Sequence, residues 1–362
     1  MSLFNIHKNK AICVLPWVHE HLDLSGDQKP CCHGRSLVDD RTIDNIRQEM
    51  LQGQQPTECS KCYREESNKE SSARIRETVD WLKKFGEPNV NDPIIQHLDV
   101  RNDPTCNLKC KTCGPHASTL WAKEKEIKVS LPNYDLTKYD KTRLKKIYFA
   151  GGEPTYNKSY LEFLNELLVV NPNCEIMINT NLKRLPEEWK TMISSFKNLT
   201  VIISCDAIEE LGCYVRYPLV WKQFEENVKF VSERANFTMF NLVPSNLTVH
   251  SIDRTVTWMN QYSNNISLTV VGGDHWEHRA VPMEYRSRYT ESLKKLIKFP
   301  IGVWAAHKFR LNLDSLINKY ESDNYNPELH LKLKNEIQEQ DSHRTAQLKD
   351  VDPFLYSWIF NK

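Results

Sequence analysis

The chain has 362 residues, enough for one large domain or two modest ones with a sizeable core. Its 48 basic and 47 acidic side chains nearly cancel, so charge points to neither nucleic acid nor an anionic membrane as an obligatory partner. No apolar run approaches the roughly 18 residues of a membrane span, and the first residues lack the layout of a secretory signal; a cytoplasmic protein is expected.

Residues 1–90 carry Pro, Gly and paired cysteines with little periodicity, as in a small metal-stapled module. Cysteines at 13, 31 and 32, followed by Cys59-x2-Cys62, suit a zinc ribbon as well as an iron–sulfur site. The polar stretch 87–93, with a proline near each end, reads as a linker. Across 91–275, short apolar runs at 94–100, 146–150, 174–179, 199–205, 237–243 and 267–271 alternate with amphipathic stretches around 114–128, 158–170, 187–195, 218–234 and 249–262. Six strands separated by five helices indicate α/β architecture, a partial (β/α)6 TIM-like barrel. Chemistry in such barrels sits at the C-terminal ends of the strands. Residues 276–362 read as a helical extension, with helices over 291–298 and 327–347 and an aromatic run at 354–360 expected to pack on the barrel.

Eleven cysteines are many for a reducing compartment, where clustered thiols are metal ligands more often than disulfides. Cys106, Cys110 and Cys113 fall after the first run, in the loop before the first helix. Soft thiolates at this spacing suit zinc or an iron–sulfur cluster. Three ligands leave one position open, as a catalytic metal requires, whereas His116 would close a Cys3His zinc site. Spacing alone leaves both readings open.

The segment Cys106-Asn-Leu-Lys-Cys110-Lys-Thr-Cys113 resembles the cluster motif of the radical S-adenosylmethionine (SAM) superfamily. Phe149-Ala-Gly-Gly-Glu-Pro154, after the second run, is similar to the family's glycine-rich motif, and Ile203-Ser-Cys-Asp-Ala207, after the fourth, to its Ser-x-Asp segment. Arg216 stands twelve residues beyond Ser204, where the peptide-modifying branch places an arginine. Asn179-Thr-Asn181 resembles Thr-Asn-Gly, with Leu182 in place of the glycine, and Thr112 replaces an aromatic residue common before the third cysteine.

The resemblance implies a catalytic [4Fe–4S] cluster on Cys106, Cys110 and Cys113. It further implies SAM held by Gly151, Gly152 and Glu153 at its amino group, and by Ser204, Asp206 and Arg216 at its ribose and carboxylate, with Asn181 lining the site. The implied chemistry is hydrogen abstraction by a 5′-deoxyadenosyl radical, with an electron donor such as flavodoxin or ferredoxin as partner.

The amino-terminal segments around Cys13, Gly26–Cys32 and Cys59–Cys62 resemble the twitch module, a shortened relative of the SPASM domain that binds an auxiliary [4Fe–4S] cluster. That module usually follows the barrel, whereas these cysteines precede it. The likeness implies Cys13, Cys31, Cys59 and Cys62 as ligands, with Cys32 an alternative to Cys31. It also implies net oxidation or crosslinking of a substrate, a peptide in the first instance. A small alcohol, sugar or nucleotide is the second reading, and a non-catalytic zinc protein the third.

Cys174 and Cys205 read as core thiols. Cys213, between Asp206 and Arg216, is a candidate hydrogen-atom donor or an ordinary half-buried cysteine. Gly272, Gly273, Asp274 and His275 follow the sixth run and read as a polar loop, in which Asp274 and His275 are the alternative candidates for acid–base groups. The basic cluster Lys138, Lys141, Arg143, Lys145 and Lys146 reads as a solvated face.

Overall fold

The computed structural model describes residues 3–68, 71–129, 134–271, 274–303 and 305–360; Gly272 and Gly273 lie outside the described residues. Short strands alternate with helices in chain order: β1 (His19–Asp23), β2 (His97–Arg101), β3 (Lys146–Phe149), β4 (Glu175–Thr180), β5 (Leu199–Ser204), β6 (Phe237–Leu242) and β7 (Ile266–Leu268). They form one sheet in the order β1 to β7. The α/β class is therefore as the sequence indicates, with a parallel sheet, but among the described residues the strands number seven rather than six. The addition is β1, within the segment expected to hold only a metal-stapled module. Of its five residues, His-Glu-His-Leu-Asp, just Leu22 is apolar, so hydropathy does not reveal it. Backbone pairing makes it a strand, from His19 opposite His97 to Asp23 opposite Arg101.

Strand geometry sends alternate side chains to opposite faces. Leu22, Leu98, Val100, Ile147, Phe149, Ile176 and Ile178 share one face and are at most 2 % exposed. Helix Lys158–Val170 covers part of it, with Tyr160 and Phe163 against Phe149 at ring separations of 4.6 and 6.1 Å. That helix starts where the Asn157 side chain accepts a hydrogen bond from the Tyr160 N–H, and it buries Tyr160, Phe163, Leu164 and Leu167. The i, i+3, i+4, i+7 spacing gives it a single apolar stripe.

The chain divides into two compact units. The first holds the described residues of Met1–Pro104, Ser130–Ile178 and Phe196–Asn198. Its amino-terminal part has a local core of Phe4, Ile12, Val14, Trp17, Met50 and Trp81. Of the basic cluster, Lys138, Lys141 and Lys146 pair with Glu20, Glu166 and Glu77.

The second unit holds the described residues of Thr105–Val129, Asn179–Ser195 and Leu199–Lys362. It contains the cysteine loop, β5 to β7 and the carboxy-terminal helices Arg286–Lys294, Ala306–Ser322, Pro327–Ser342 and Pro353–Phe360. The last helix turns Phe354 and Trp358 onto Tyr289, and Trp358 onto His330, so its aromatics pack largely on the extension itself. Phe354 also reaches His250 at 5.4 Å. No helix of the described residues is long and apolar enough to cross a membrane.

Candidate cofactor and metal site

In the second unit the cysteine loop has little regular structure and is held by its own backbone. Lys109 N–H donates to the Tyr217 carbonyl at 2.5 Å and Lys111 N–H to the Val215 carbonyl at 2.8 Å. Trp121 Nε1 donates to the Cys110 carbonyl at 2.9 Å, and Ser118 both donates to the Leu108 carbonyl and caps helix Thr119–Glu124. Burial pushes the Cys110 thiol up to about 12; Arg216 opposes the shift, and Cys113 and Cys106 add to it. Cys113 is raised by burial as well and is opposed by its hydrogen bond near Gly114 and by Arg216. Cys106 and Cys113 thus both lie in the electrostatic reach of Cys110, with a guanidinium beside Cys110 and Cys113 that favours the thiolate a metal requires. His116 is exposed.

Arg216 Nη1 bonds Asp206 Oδ2 at 2.6 Å, both side chains being 11 % exposed. Asp206 Oδ1 also accepts the Val243 N–H at 3.1 Å. Arg216 Nε is buried and has no partner among the described residues. A guanidinium with an unused donor beside a thiolate loop fits the carboxylate of SAM, and three thiols fit three corners of a cubane.

Ser204 Oγ donates to Asn179 Oδ1 at 3.0 Å. Register places Ser204 opposite Asn241 and Asn241 opposite Ser267, so a polar row crosses the carboxy-terminal ends of β5, β6 and β7. Sequence reasoning missed Asn241 and Ser267. The period-2 alternation at the end of each apolar run was the available signal.

Asn181 holds the cysteine loop from another side. Its Nδ2 donates to Asn107 Oδ1 at 2.9 Å and lies 3.8 Å from Cys106 Sγ. Next to it Leu182 adopts φ +48°, the left-handed conformation that explains a glycine at the same place in the resembling motif. Its side chain is fully buried and its carbonyl accepts Asn227 Nδ2 at 2.9 Å, which offsets the backbone strain.

Gly151 and Gly152 belong to the first unit. Gly151 has φ +110°, and a Cβ there would stand 2.8 Å from the Asp103 carbonyl oxygen. Gly152 N–H donates to that same oxygen at 2.9 Å. Glu153 is buried and accepts the Thr155 N–H and hydroxyl at 3.1 and 2.6 Å, capping the turn Pro154–Tyr156.

The amino-terminal thiols are also in the first unit. Cys13, Cys31, Cys59 and Cys62 line one cavity together with Pro16, Met50 and Arg74. Burial pushes Cys13 and Cys31 each up to about 12, Cys62 adding to the first, Cys13 and Cys62 to the second. Burial likewise raises Cys59, with Cys13, Cys31 and Cys62 contributing. Arg74 Nη1 bonds the Ile12 carbonyl at 2.7 Å beside them. Cys32 is raised by burial and by Asp99 instead. Among the described residues no three His, Cys, Asp or Glu side chains are gathered as a single metal ion would need.

The face of β1 and β2 opposite the apolar layer carries His19, His21, His97, Asp99 and Arg101, a polar layer that sequence reasoning did not identify. Arg101 grips Asp99 through Nε and Nη2 at 2.7 and 3.1 Å, and His21 Nδ1 lies 3.3 Å from Asp99. Against the effect of burial, His21 and Arg101 hold the Asp99 carboxyl well below the usual range.

Cys174 and Cys205 are buried, and Cys213 is half-buried on helix Glu209–Val215, its thiol raised by burial. His275 Nδ1 pairs with Asp274 at 2.7 Å, and Lys332 reaches the same carboxylate at 2.7 Å.

Residues 104–259 match the family model described as Radical SAM superfamily. Among curated proteins, the GTP 3′,8-cyclase of Helicobacter pylori is 28 % identical over 104 residues, 27 % of this chain and 32 % of the cyclase. The chain thus spans about a third of that relative's length. Two similar solved structures are native anSMEcpe with bound AdoMet and Streptococcus suis SuiB bound to S-adenosylmethionine. The first is 18 % identical with a TM-score of 0.41, covering 56 % of this chain and 59 % of that one. The second is 16 % identical with a TM-score of 0.38, covering 73 % and 52 %. Over residues 104–259 the chain carries a radical SAM superfamily domain.

Proposed function

We propose that the chain is a radical SAM enzyme that carries out net oxidation or crosslinking of a substrate, a peptide in the first instance. The observation that carries the reading is the loop in which Cys106 and Cys113 both act on Cys110, with Arg216 beside Cys110 and Cys113, inside the segment that matches the family. When bound, the cluster and SAM supply a 5′-deoxyadenosyl radical that abstracts hydrogen from substrate. Cys106, Cys110 and Cys113 would hold that cluster. Arg216, steadied by Asp206, offers its remaining donor to the SAM carboxylate, and Ser204 presents its hydroxyl from the end of β5. Gly151, Gly152 and Glu153 are the candidates for the amino end of SAM, Asn181 orients the cysteine loop, and Cys213 is a candidate hydrogen-atom donor.

Cys13, Cys31, Cys59 and Cys62 are read as ligands of an auxiliary cluster, Cys31 in preference to Cys32 because Cys31 shares the cavity of the other three. A fully ligated cluster accepts an electron rather than substrate, which is why oxidation is the proposed outcome. Flavodoxin or ferredoxin is the proposed donor for the first electron. A nucleotide is the second substrate reading, favoured by the cyclase named above.

Anaerobic reconstitution with iron and sulfide should give a brown protein absorbing near ~400 nm that cleaves SAM to 5′-deoxyadenosine. Replacing Cys106, Cys110 and Cys113 with Ala should abolish cleavage and leave about half the iron, as expected for two clusters of equal size. A colourless protein holding zinc would overturn the proposal in favour of a structural metal site.

A further inference from the structure

Behind the cysteine loop the second unit buries a set of charges that the proposed chemistry does not use. Lys111 stands between Cys110 and Cys113, is 1 % exposed, and places its Nζ 2.7 Å from Asp341 Oδ1. Asp341 comes from the last turn of helix Pro327–Ser342, in the carboxy-terminal extension. Its carboxylate also accepts the Tyr214 hydroxyl at 2.9 and 3.1 Å and the Leu348 N–H at 3.0 Å. Lys111 Nζ lies 4.0 Å from the Tyr214 ring centre.

Arg344, three residues beyond Asp341, is 7 % exposed and sits 5.0 Å from the Trp121 ring and 5.2 Å from the Tyr217 ring. Its Nε and Nη2 have no hydrogen-bond partner among the described residues. Trp121 and Tyr217 are the same two residues that bond the backbone of the loop at Cys110 and Lys109.

Packing alone does not account for this arrangement. Apolar side chains of equal volume usually serve a core as well as a buried ion pair, or better. A charge retained a few residues from a cluster ligand acts on the cluster, because nearby charge and hydrogen bonding set iron–sulfur potentials. We propose that Lys111, Asp341 and Arg344 are positioning residues through which the carboxy-terminal helices fix the cysteine loop and set the reduction potential of its cluster. The proposal rests on the reading of Cys106, Cys110 and Cys113 as cluster ligands.

The test uses the full chain, reconstituted anaerobically, with the potential of the triad cluster read by electron paramagnetic resonance during redox titration. Asp341→Asn keeps an acceptor for Tyr214 and removes one negative charge, so the midpoint should move to more positive potential. Arg344→Gln removes one positive charge, so the midpoint should move to more negative potential, and Arg344→Lys should restore it. Iron content stays at the wild-type value in all three. Opposite shifts separate a charge effect from a loosened loop, which would move both variants the same way. Equal midpoints, or shifts of one sign, overturn the proposal while leaving the cluster assignment intact. A wild-type chain that takes up no iron on the triad overturns the assignment and the proposal together.

Discussion

Arg216 combines burial, charge and an unused donor in one side chain. Its bond to Asp206 takes one nitrogen, while Nε has no partner among the described residues. A guanidinium prefers to meet a carboxylate through two parallel N–H bonds, a geometry that an ammonium does not reproduce. Removing one member of a buried pair leaves the other charged and desolvated, at a cost of about 3–5 kcal/mol. Arg216→Leu should therefore lose both SAM binding and stability of that order, measured by equilibrium dialysis and by urea denaturation. Arg216→Lys keeps the charge beside Asp206, so stability should largely return, while SAM affinity should stay at least tenfold lower, which corresponds to about 1.4 kcal/mol. Wild-type affinity in the Lys variant would show that the fork is not used. The sequence offered Arg216 through its spacing from Ser204, but not the pairing with Asp206. Leu182 was less legible still. Only the backbone shows that a leucine there accepts the φ of +48° that suits glycine.

At the scale of elements, legibility followed the source of each element's stability. Helices Lys158–Val170 and Glu187–Ser195 match their amphipathic stretches because burial of one stripe holds them. Strand β1 is held by its hydrogen bonds to β2, and its paired face is polar, so no apolar run marks it. That polar face gives a measurable pH dependence. Burial lowers the His19 pKa from 6.5 to about 4, His21 adding to the effect and Asp99 opposing it. His97 is likewise held well below its usual value, by burial and then by His19. Folding thus favours the neutral rings, and below about pH 6.5 the unfolded chain takes up protons that the folded chain refuses. The contribution of His19 is complete above that pH and lost as pH falls towards 4, on the order of 3 kcal/mol. Thermal midpoints measured between pH 7.5 and 4.5 should fall steeply in the wild type and less steeply in His19→Phe. Parallel curves would place the acid sensitivity elsewhere.

For the whole molecule, the sequence separated two cysteine constellations, and each lies within a single unit. The sheet recruits β1 from the amino-terminal segment, whose polar sequence does not announce a strand, and the second unit takes both the cysteine loop and the extension. Separate placement makes separate loading the expectation. Cys13 and Cys31 are held as neutral thiols by burial, so a metal entering their cavity displaces protons and its binding energy adds to the stability of the surrounding fold. Replacing Cys59 and Cys62 together with Ala should accordingly remove about half the iron and lower the thermal midpoint, since two of four cluster ligands are gone. The triad keeps its ligands, so SAM should still be cleaved without coupling to product, while substrate turnover stops for want of an electron acceptor. The discriminating measurement is 5′-deoxyadenosine formed per iron, before and after substitution. A variant that keeps all its iron contradicts the auxiliary ligand set. One that loses half its iron yet still completes turnover keeps that ligand set and contradicts the oxidative role assigned to it.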